Sequence, residues 1–258
     1  MKVTILGCGT ATGVPMIGCH CQVCSSTNPR NRRTRSSILV QRQGRNILID
    51  TSPDLWAQAI KVGLDRLDAV IFTHSHADHL HGIDELRSFN FIQHLETIPC
   101  YANDETLKRI REGFSYLFSS NQASPYARPR IELRRIDDKP FGLFGGKVTP
   151  LPVRHGPYTV FGYRFGNMAY VTDASSIPVD TMERMAGLDL LIIGALRQEP
   201  HPKHFSIDQA AGIIDRLKPR NALLTHMSHK IDYDNTHLPR GVDLAYDGLV
   251  VEFGEEQE

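Results

Sequence analysis

The sequence predicts an α/β protein of four layers, αββα, in which two sheets pack face to face and carry helices on their outer sides. Three observations predict it. Short apolar runs of strand length recur along the whole of the 258-residue chain, bounded by glycine, proline and polar residues. Stretches with helical spacing separate many of them, near residues 54–63, 103–112, 179–186 and 206–217. The order strand, hairpin, helix, strand in the first half is followed by hairpin, helix, strand, helix, strand in the second. Two similar halves would then bury their sheets against each other.

Taken in order, KVTILG is a strand that ends in the turn GCGTATG. SSILVQ and RNILID are joined by the short link RQG and read as a hairpin. The helix near 54–63 follows, with Trp56 and the Ile and Leu positions around it read as core. LDAVIF (67–72) is a buried strand, and LHGIDELRSF behind it turns helical. GFSYLFSSNQASPYARPR (113–130) breaks the pattern and is expected to form a loop or lid near the site. GKVTPLPV, YTVFGYRF and MAYVTD are strands, the last two a hairpin across GN. LDLLIIG, NALLTH and GLVVEF complete the set, and Ser206 is placed as N-cap of the helix IDQAAGIIDRL.

Composition narrows the partners. Lys+Arg and Asp+Glu both number 29, so no overall field draws in large nucleic acids or an anionic membrane. The local run Arg128, Arg130, Arg134 and Arg135 reads as a solvated face. No apolar stretch approaches the roughly 20 residues that span a bilayer, and the N-terminal run is too short for a signal peptide. Five cysteines, three of them at 19, 21 and 24, do not make a disulfide framework. A cytoplasmic protein with one domain over 1–258 is expected, and a homodimer is compatible with the composition.

The chemistry concentrates in THSHADHLHG (73–82), four histidines and an aspartate directly after a strand. Open α/β sheets build their sites at such strand ends. His74 and His76 can point the same way from an extended loop. Asp78 and His79 follow as the chain turns into a helix and can face a second point. Imidazole with carboxylate suits zinc, manganese or iron(II). Further ligand candidates end later strands: His155 after VTPLPVR, Asp173 after AYVT, and His226 after NALLT. A carboxylate at Asp173 could bridge two ions.

The ordered set His74-Ser-His76-Ala-Asp78-His79, then His155, Asp173 and His226, resembles the HxHxDH signature and later ligands of the metallo-β-lactamase-fold hydrolases. That resemblance implies the αββα sandwich. It implies one ion near His74, His76 and His155, a second near Asp78, His79 and His226, and Asp173 between them. Asp50, ending RNILI, matches a strand-end aspartate that supports the ligand loop. His at position 76, where flavin-linked di-iron members carry Glu, points away from redox chemistry and toward hydrolysis.

A second cluster, GCHCQVC (18–24), offers Cys19, Cys21 and Cys24. Three thiolates from a tight loop make three corners of a tetrahedral zinc site, and His229, in THMSH, is the candidate for the fourth. With GTATGVPMIGCHCQVC and THMSH added, the chain resembles the PhnP-type phosphodiesterase branch, which implies a structural zinc beside two catalytic metals, Zn or Mn. His204 opens a helix near where such phosphodiesterases place a catalytic histidine, with His201 as a competitor. Asp78 and His204 are the expected catalytic residues.

Weaker signals remain. The turn Thr10, Thr12, Gly13 could offer amides to a phosphate or merely position the cysteines. His81 and His94 read as supporting or surface residues, and His237 as a pocket residue. The expected function is hydrolysis of small or cyclic phosphodiesters by a hydroxide held between two ions. The alternatives are a nuclease of the tRNase Z type and a thioester or lactone hydrolase.

Overall fold

The structure, a computed structural model, describes residues 1–119 and 128–254. β1 (Lys2–Gly7), β2 (Ser37–Arg42), β3 (Arg45–Ile49), β4 (Ala69–Ile71), β5 (Ile98–Ala102) and β6 (Ile131–Arg135) lie side by side in one sheet. β7 (Phe141–Leu143), β8 (Gly146–His155), β9 (Tyr158–Phe165) and β10 (Met168–Val171) begin the other sheet. β11 (Leu190–Gly194), β12 (Asn221–Thr225) and β13 (Val242–Leu244) complete it. The last strand, β14 (Val250–Glu252), returns to the first sheet and pairs antiparallel with β1.

Among the described residues each sheet has seven strands, and the two share one pattern. β14, β1, β2 and β3 pair antiparallel, and β3 to β6 pair parallel. β7 to β10 pair antiparallel, and β10 to β13 pair parallel. This is the repeated α/β half expected from the sequence, except that the halves are not consecutive. The chain's final strand completes the first sheet.

The period of two along the strands builds the layers. Val3, Ile5, Ile38, Val40, Ile47, Ile49 and Ile71 face the second sheet and pack with Val153, Tyr163, Phe165 and Tyr170. Their neighbours Leu6, Leu39, Leu48 and Val70 face outward into a separate core beneath the helices. That core is closed by α1 (Leu55–Val62), α2 (Ala77–Leu80), α3 (Leu86–Ile92) and α4 (Asp104–Gly113). α5 (Val179–Arg184) and α6 (Ile207–Leu217) cover the second sheet, α6 through Ile207, Ala210 and Ile214. The expected N-cap is present: Ser206 and Gln209 form a reciprocal capping box at the start of α6. Gln43 and Gly44 both have positive φ (50° and 72°), the two-residue turn that fits a tight hairpin.

One core assignment fails. Trp56 is 63% exposed and so is Ile60. α1 buries Leu55 and Gln58 and half-buries Ala59 and Val62, a stripe of i, i+3, i+4, i+7. Trp56 and Ile60 lie one position off it. The arginine run is a solvated face as expected: Arg134 pairs with Glu132 at 2.7 Å and Arg135 with Asp104 at 2.9 Å. At the expected loop or lid, Gly113 closes α4 and Ser115–Phe118 makes a turn of 3-10 helix, while residues 120–127 lie outside the described residues.

Candidate metal centre

The parallel strands of both sheets end at one edge, and the predicted ligands stand there. Asp50 follows β3, His155 ends β8, Asp173 lies just past β10 and His226 just past β12. Asp50, Asp173 and His226 have φ of 67°, 50° and 56°, a left-handed conformation costing on the order of 1–3 kcal/mol at a non-glycine residue. The turn sends each side chain sharply back over the sheet edge. From β4 the chain runs extended through His76 and then winds into α2, which sets Asp78 and His79 facing inward. Gly82 lets this segment dock: its amide donates to the Thr51 carbonyl at 2.9 Å, and a Cβ there would stand 2.0 Å from the Ser52 carbonyl oxygen.

Hydrogen bonds then fix the imidazoles from outside. His79 donates from Nδ1 to Asp50 Oδ2 at 2.7 Å. Thr73 donates its amide and its hydroxyl to the same carboxylate, each at 2.7 Å. The Thr73 oxygen in turn accepts from His74 Nδ1 at 3.0 Å. His155 Nδ1 donates to the Lys203 carbonyl at 2.9 Å, and His226 Nδ1 to Ser36 Oγ at 3.2 Å. Ser36 has its own acceptor, the Gly9 carbonyl at 3.0 Å. In four of the five imidazoles Nδ1 is thus occupied and the Nε2 lone pair is turned inward, the arrangement by which outer partners orient metal ligands. His76 instead presents Nδ1, 2.9 Å from His74 Nε2.

What these atoms face decides whether cations fit. His79 Nε2 is buried without a hydrogen-bond partner, yet it stands 3.1 Å from Asp78 Oδ2 and 3.0 Å from Asp173 Oδ2. A lone pair against two carboxylate oxygens is repulsive unless a positive charge lies among them. Burial opposes a proton on His79, but Asp78, Asp173 and Asp50 together outweigh it and raise its pKa well above the usual value. A divalent ion supplies the same charge without a proton. The other oxygen of Asp173, Oδ1, lies 3.3 Å from His226 Nε2 and 3.5 Å from His204 Nδ1.

The donors fall into clusters whose ligand atoms lie within 4.8 Å of one another: His74, His76 and His155; Asp78, His79 and His226; His74, His79 and Asp173. Neutral imidazoles and carboxylates of this kind suit zinc or manganese. A further cluster joins His155, Asp173 and His204. The His204 ring stacks on His226 at 5.1 Å and lies 4.7 Å from His155. Burial, reinforced by the neighbouring imidazoles and opposed by Asp173, lowers the His204 pKa to about 3.

Cys19, Cys21, Cys24 and His229 also converge. His229 Nδ1 is 3.2, 3.6 and 3.5 Å from the three sulfurs in that order, and none of the cysteines is in a disulfide. The Cys24 amide is the main cause that lowers the Cys21 thiol to about 6, whereas burial raises Cys24 to about 11. Four such ligands suit a closed tetrahedral zinc site.

Every ligand candidate named from sequence is therefore in one of these groups. In the turn at Thr10, Thr10 N donates to the Met227 carbonyl and Gly13 N to the Thr10 carbonyl. The Thr10 hydroxyl lies 3.2 Å from His226 Nε2. His81 and His94 are exposed. His237 is in none of the clusters found among the described residues. Thr73, Ser36 and the Lys203 carbonyl escaped notice. A hydroxyl residue directly before His74 is a signal that could have found Thr73, but a backbone carbonyl leaves none.

Comparison with known proteins places this geometry. A family described as the β-lactamase superfamily domain matches residues 45–227. A crystal structure of a new diphosphatase from the PhnP family superposes with a TM-score of 0.92 at 42% identity, covering 100% of this chain and 99% of that one. An octanoyltransferase of Porphyromonas gingivalis is 39% identical over 256 residues, 96% of this chain and 51% of the relative. A ribonuclease Z of Bradyrhizobium diazoefficiens is 27% identical over 149 residues, 56% of this chain and 48% of the relative. The chain spans about half the length of these curated relatives. It belongs to the β-lactamase superfamily, as a PhnP-like protein of the metallo-β-lactamase fold.

Proposed function

We propose that the chain is a metal-dependent phosphodiesterase for small or cyclic phosphodiesters, nucleotide-like ones among them. The observation that carries this is Asp173, which lies among members of both ligand groups, His74 and His155 of one and His79 and His226 of the other, while His204 stands 3.5 Å from one of its oxygens. The 42% identity to a PhnP-family diphosphatase supports it. His74, His76 and His155 would hold one divalent ion, and Asp78, His79 and His226 a second, with Asp173 reaching both. Ions held there supply Lewis acidity and activate water at neutral pH.

The chain's own groups do the rest. Asp50, Thr73, Ser36 and the Lys203 carbonyl keep the imidazoles in one tautomer. Asp78, beside His79, has a second oxygen that can accept a proton from the attacking water. His204, on the far side of Asp173, offers an N–H or a proton to the leaving oxygen. Cys19, Cys21, Cys24 and His229 would hold a structural zinc apart from the reaction. No helix among the described residues is long and apolar enough to cross a membrane, and a cytoplasmic site of action fits reduced cysteines.

The test is protein reconstituted with Zn or Mn and assayed on bis(p-nitrophenyl) phosphate, a cyclic nucleotide, a thioester and pre-tRNA. Hydrolysis of the two small diesters should lead. The similarity to ribonuclease Z makes pre-tRNA the informative competitor, and faster cleavage of it than of either diester would reverse the assignment.

A further inference from the structure

The edge of the sandwich opposite the metal centre holds a cavity of about 650 Å³, a volume typical of small-molecule sites. β2 ends there, β8 begins there, and β9 turns there into β10. Five cations line it, Arg42, Lys139, Lys147, Arg164 and Arg184, against one carboxylate among the described residues, Asp138. The chain as a whole carries equal numbers of basic and acidic residues, so the excess is local. Backbone carbonyls hold two of the guanidinium groups. Arg164 donates from Nε to the Gly166 carbonyl at 2.7 Å, and from Nη1 to the Arg184 and Ala186 carbonyls at 2.6 and 2.9 Å. Arg184 donates to the Asp138 carbonyl at 2.7 Å, while the Asp138 carboxylate stands 4.0 Å from its Nη2. Carbonyls satisfy N–H groups but cancel no charge. Arg42 lies against Gly146, where a Cβ would stand 2.0 Å from Arg42 Nη1, so the glycine makes room for the guanidinium. Lys139 and Lys147 are exposed, and among the described residues neither has a carboxylate within ion-pair distance. Arg134 and Arg135 differ, since each of them has a carboxylate partner.

We propose that this cavity binds a small ligand carrying a di- or triphosphate group. Several cations around one concave space favour a compact anion of several charges over an anion of one. Guanidinium forks match phosphate oxygens, and lysines add flexible point charges. Thr149 and Asn167, also in the lining, supply neutral donors. The site is separate from the metal centre. Lys147 lies near the start of β8 and His155 is its last residue, so at about 3.3 Å per residue the two stand about 25 Å apart. The cations surround a single concavity and do not run in a stripe, which favours a small anion over a nucleic acid backbone.

The test is calorimetric binding of ATP, tripolyphosphate, AMP and inorganic phosphate to metal-loaded protein, with metal content measured after each titration. ATP or tripolyphosphate should bind at least about tenfold more tightly than AMP and phosphate. Lys139→Gln combined with Lys147→Gln should weaken that binding by about tenfold, and the corresponding pair of arginine substitutions should retain it. Raising salt from about 50 to about 500 mM should weaken it as well. Should the glutamine pair lower the melting temperature, each lysine is replaced singly. Unchanged affinity in the glutamine variant would put the ligand elsewhere, the metal centre included, and overturn the site. Failure of both ATP and tripolyphosphate to bind, or binding no tighter than that of AMP, would overturn it too. So would tighter binding of duplex RNA that the same substitutions abolish, which would assign these cations to nucleic acid. Diester hydrolysis should be unchanged in the glutamine variant, and a fall in it with metal retained would overturn the separation from the centre.

Discussion

Replacing His204 with alanine separates two ways in which it could help a leaving group. General acid catalysis is worth about 10²–10⁴-fold. With a pKa of about 3 in the free protein, only about one molecule in 10⁴ carries the proton at pH 7. The gain and the population nearly cancel, so His204 can act as an acid only where a bound phosphate anion restores its proton affinity. The sign is fixed by the lowered value: above pH 3 the free protein holds His204 neutral. Its titration should therefore be absent from kcat/KM between about pH 5 and 8 and appear, if anywhere, in kcat as a fall with rising pH. On a ribose or alkyl leaving group the variant should lose about 10²–10³-fold, and on p-nitrophenolate less than about tenfold, because that group needs little protonation. Steady-state rates on the two substrates, with metal content measured in parallel, decide it. Equal losses on both would reject the acid role and leave His204 as a group that only positions phosphate.

Asp173→Asn should lower metal occupancy at both ligand groups together, because the carboxylate lies among His74 and His155 of one and His79 and His226 of the other; two full equivalents by metal analysis would sink the bridging assignment. Cys24→Ser should release the structural zinc and lower the melting temperature by more than it changes turnover in the folded fraction. Disulfides among these cysteines, or unchanged zinc content, would contradict this. At Asp68, burial raises the carboxyl pKa, but the Asn46 amide, Arg45 and Arg66 outweigh it and the net direction is down. The stability it confers is then present above the ordinary carboxylate pKa and is lost as pH falls through the lowered one. Asp68→Asn should cost about 1–3 kcal/mol at neutral pH, and a chemical denaturation difference that does not shrink at low pH would refute it.

Much of this was legible because strand ends and metal ligands leave local signals. The apolar run before Thr73 gave β4, and the histidine spacing after it gave the ligand loop. The apolar run in RNILI and the short link RQG before it gave the hairpin. Less regular elements escaped. β5, IPCYA, contains a proline, and three of the five residues of β6, IELRR, are charged, so neither shows a clean strand pattern. β13 has only three residues. Trp56 reads as core from its apolar character inside a helix, but the buried stripe of α1 runs through Leu55, Gln58, Ala59 and Val62, and Trp56 lies off it. The outer partners of the imidazoles were hidden for a different reason. Ser36 and Lys203 lie 190 and 48 residues from the histidines they hold, and only the sheet topology brings them there.

The two metal-binding groups also share a support. His226 and His229 are three residues apart on the segment leaving β12, one facing the sheet edge and the other the cysteine loop. Arg33 lies beneath that segment and is 1% exposed. Its guanidinium donates to the Ser228 carbonyl at 3.0 Å, the Ile231 carbonyl at 2.7 Å and the Asn31 side chain at 2.9 Å. Nε adds the Arg30 carbonyl at 3.3 Å. Burial lowers its pKa, with Cys8, Asp247 and Asp232 opposing. A planar group with several fixed donors can meet four acceptors at once, and a lysine cannot. The chain leading into the cysteine loop is joined to the same segment through the bridge Gly9–Met227 and to Arg33 through the bridge Val14–Arg33. Loosening either anchor would move the backbone that holds His226 at positive φ. An ion held by Cys19, Cys21, Cys24 and His229 would therefore act on the edge that carries His226 through the chain between the two histidines, although none of these cysteines is in the clusters at that edge.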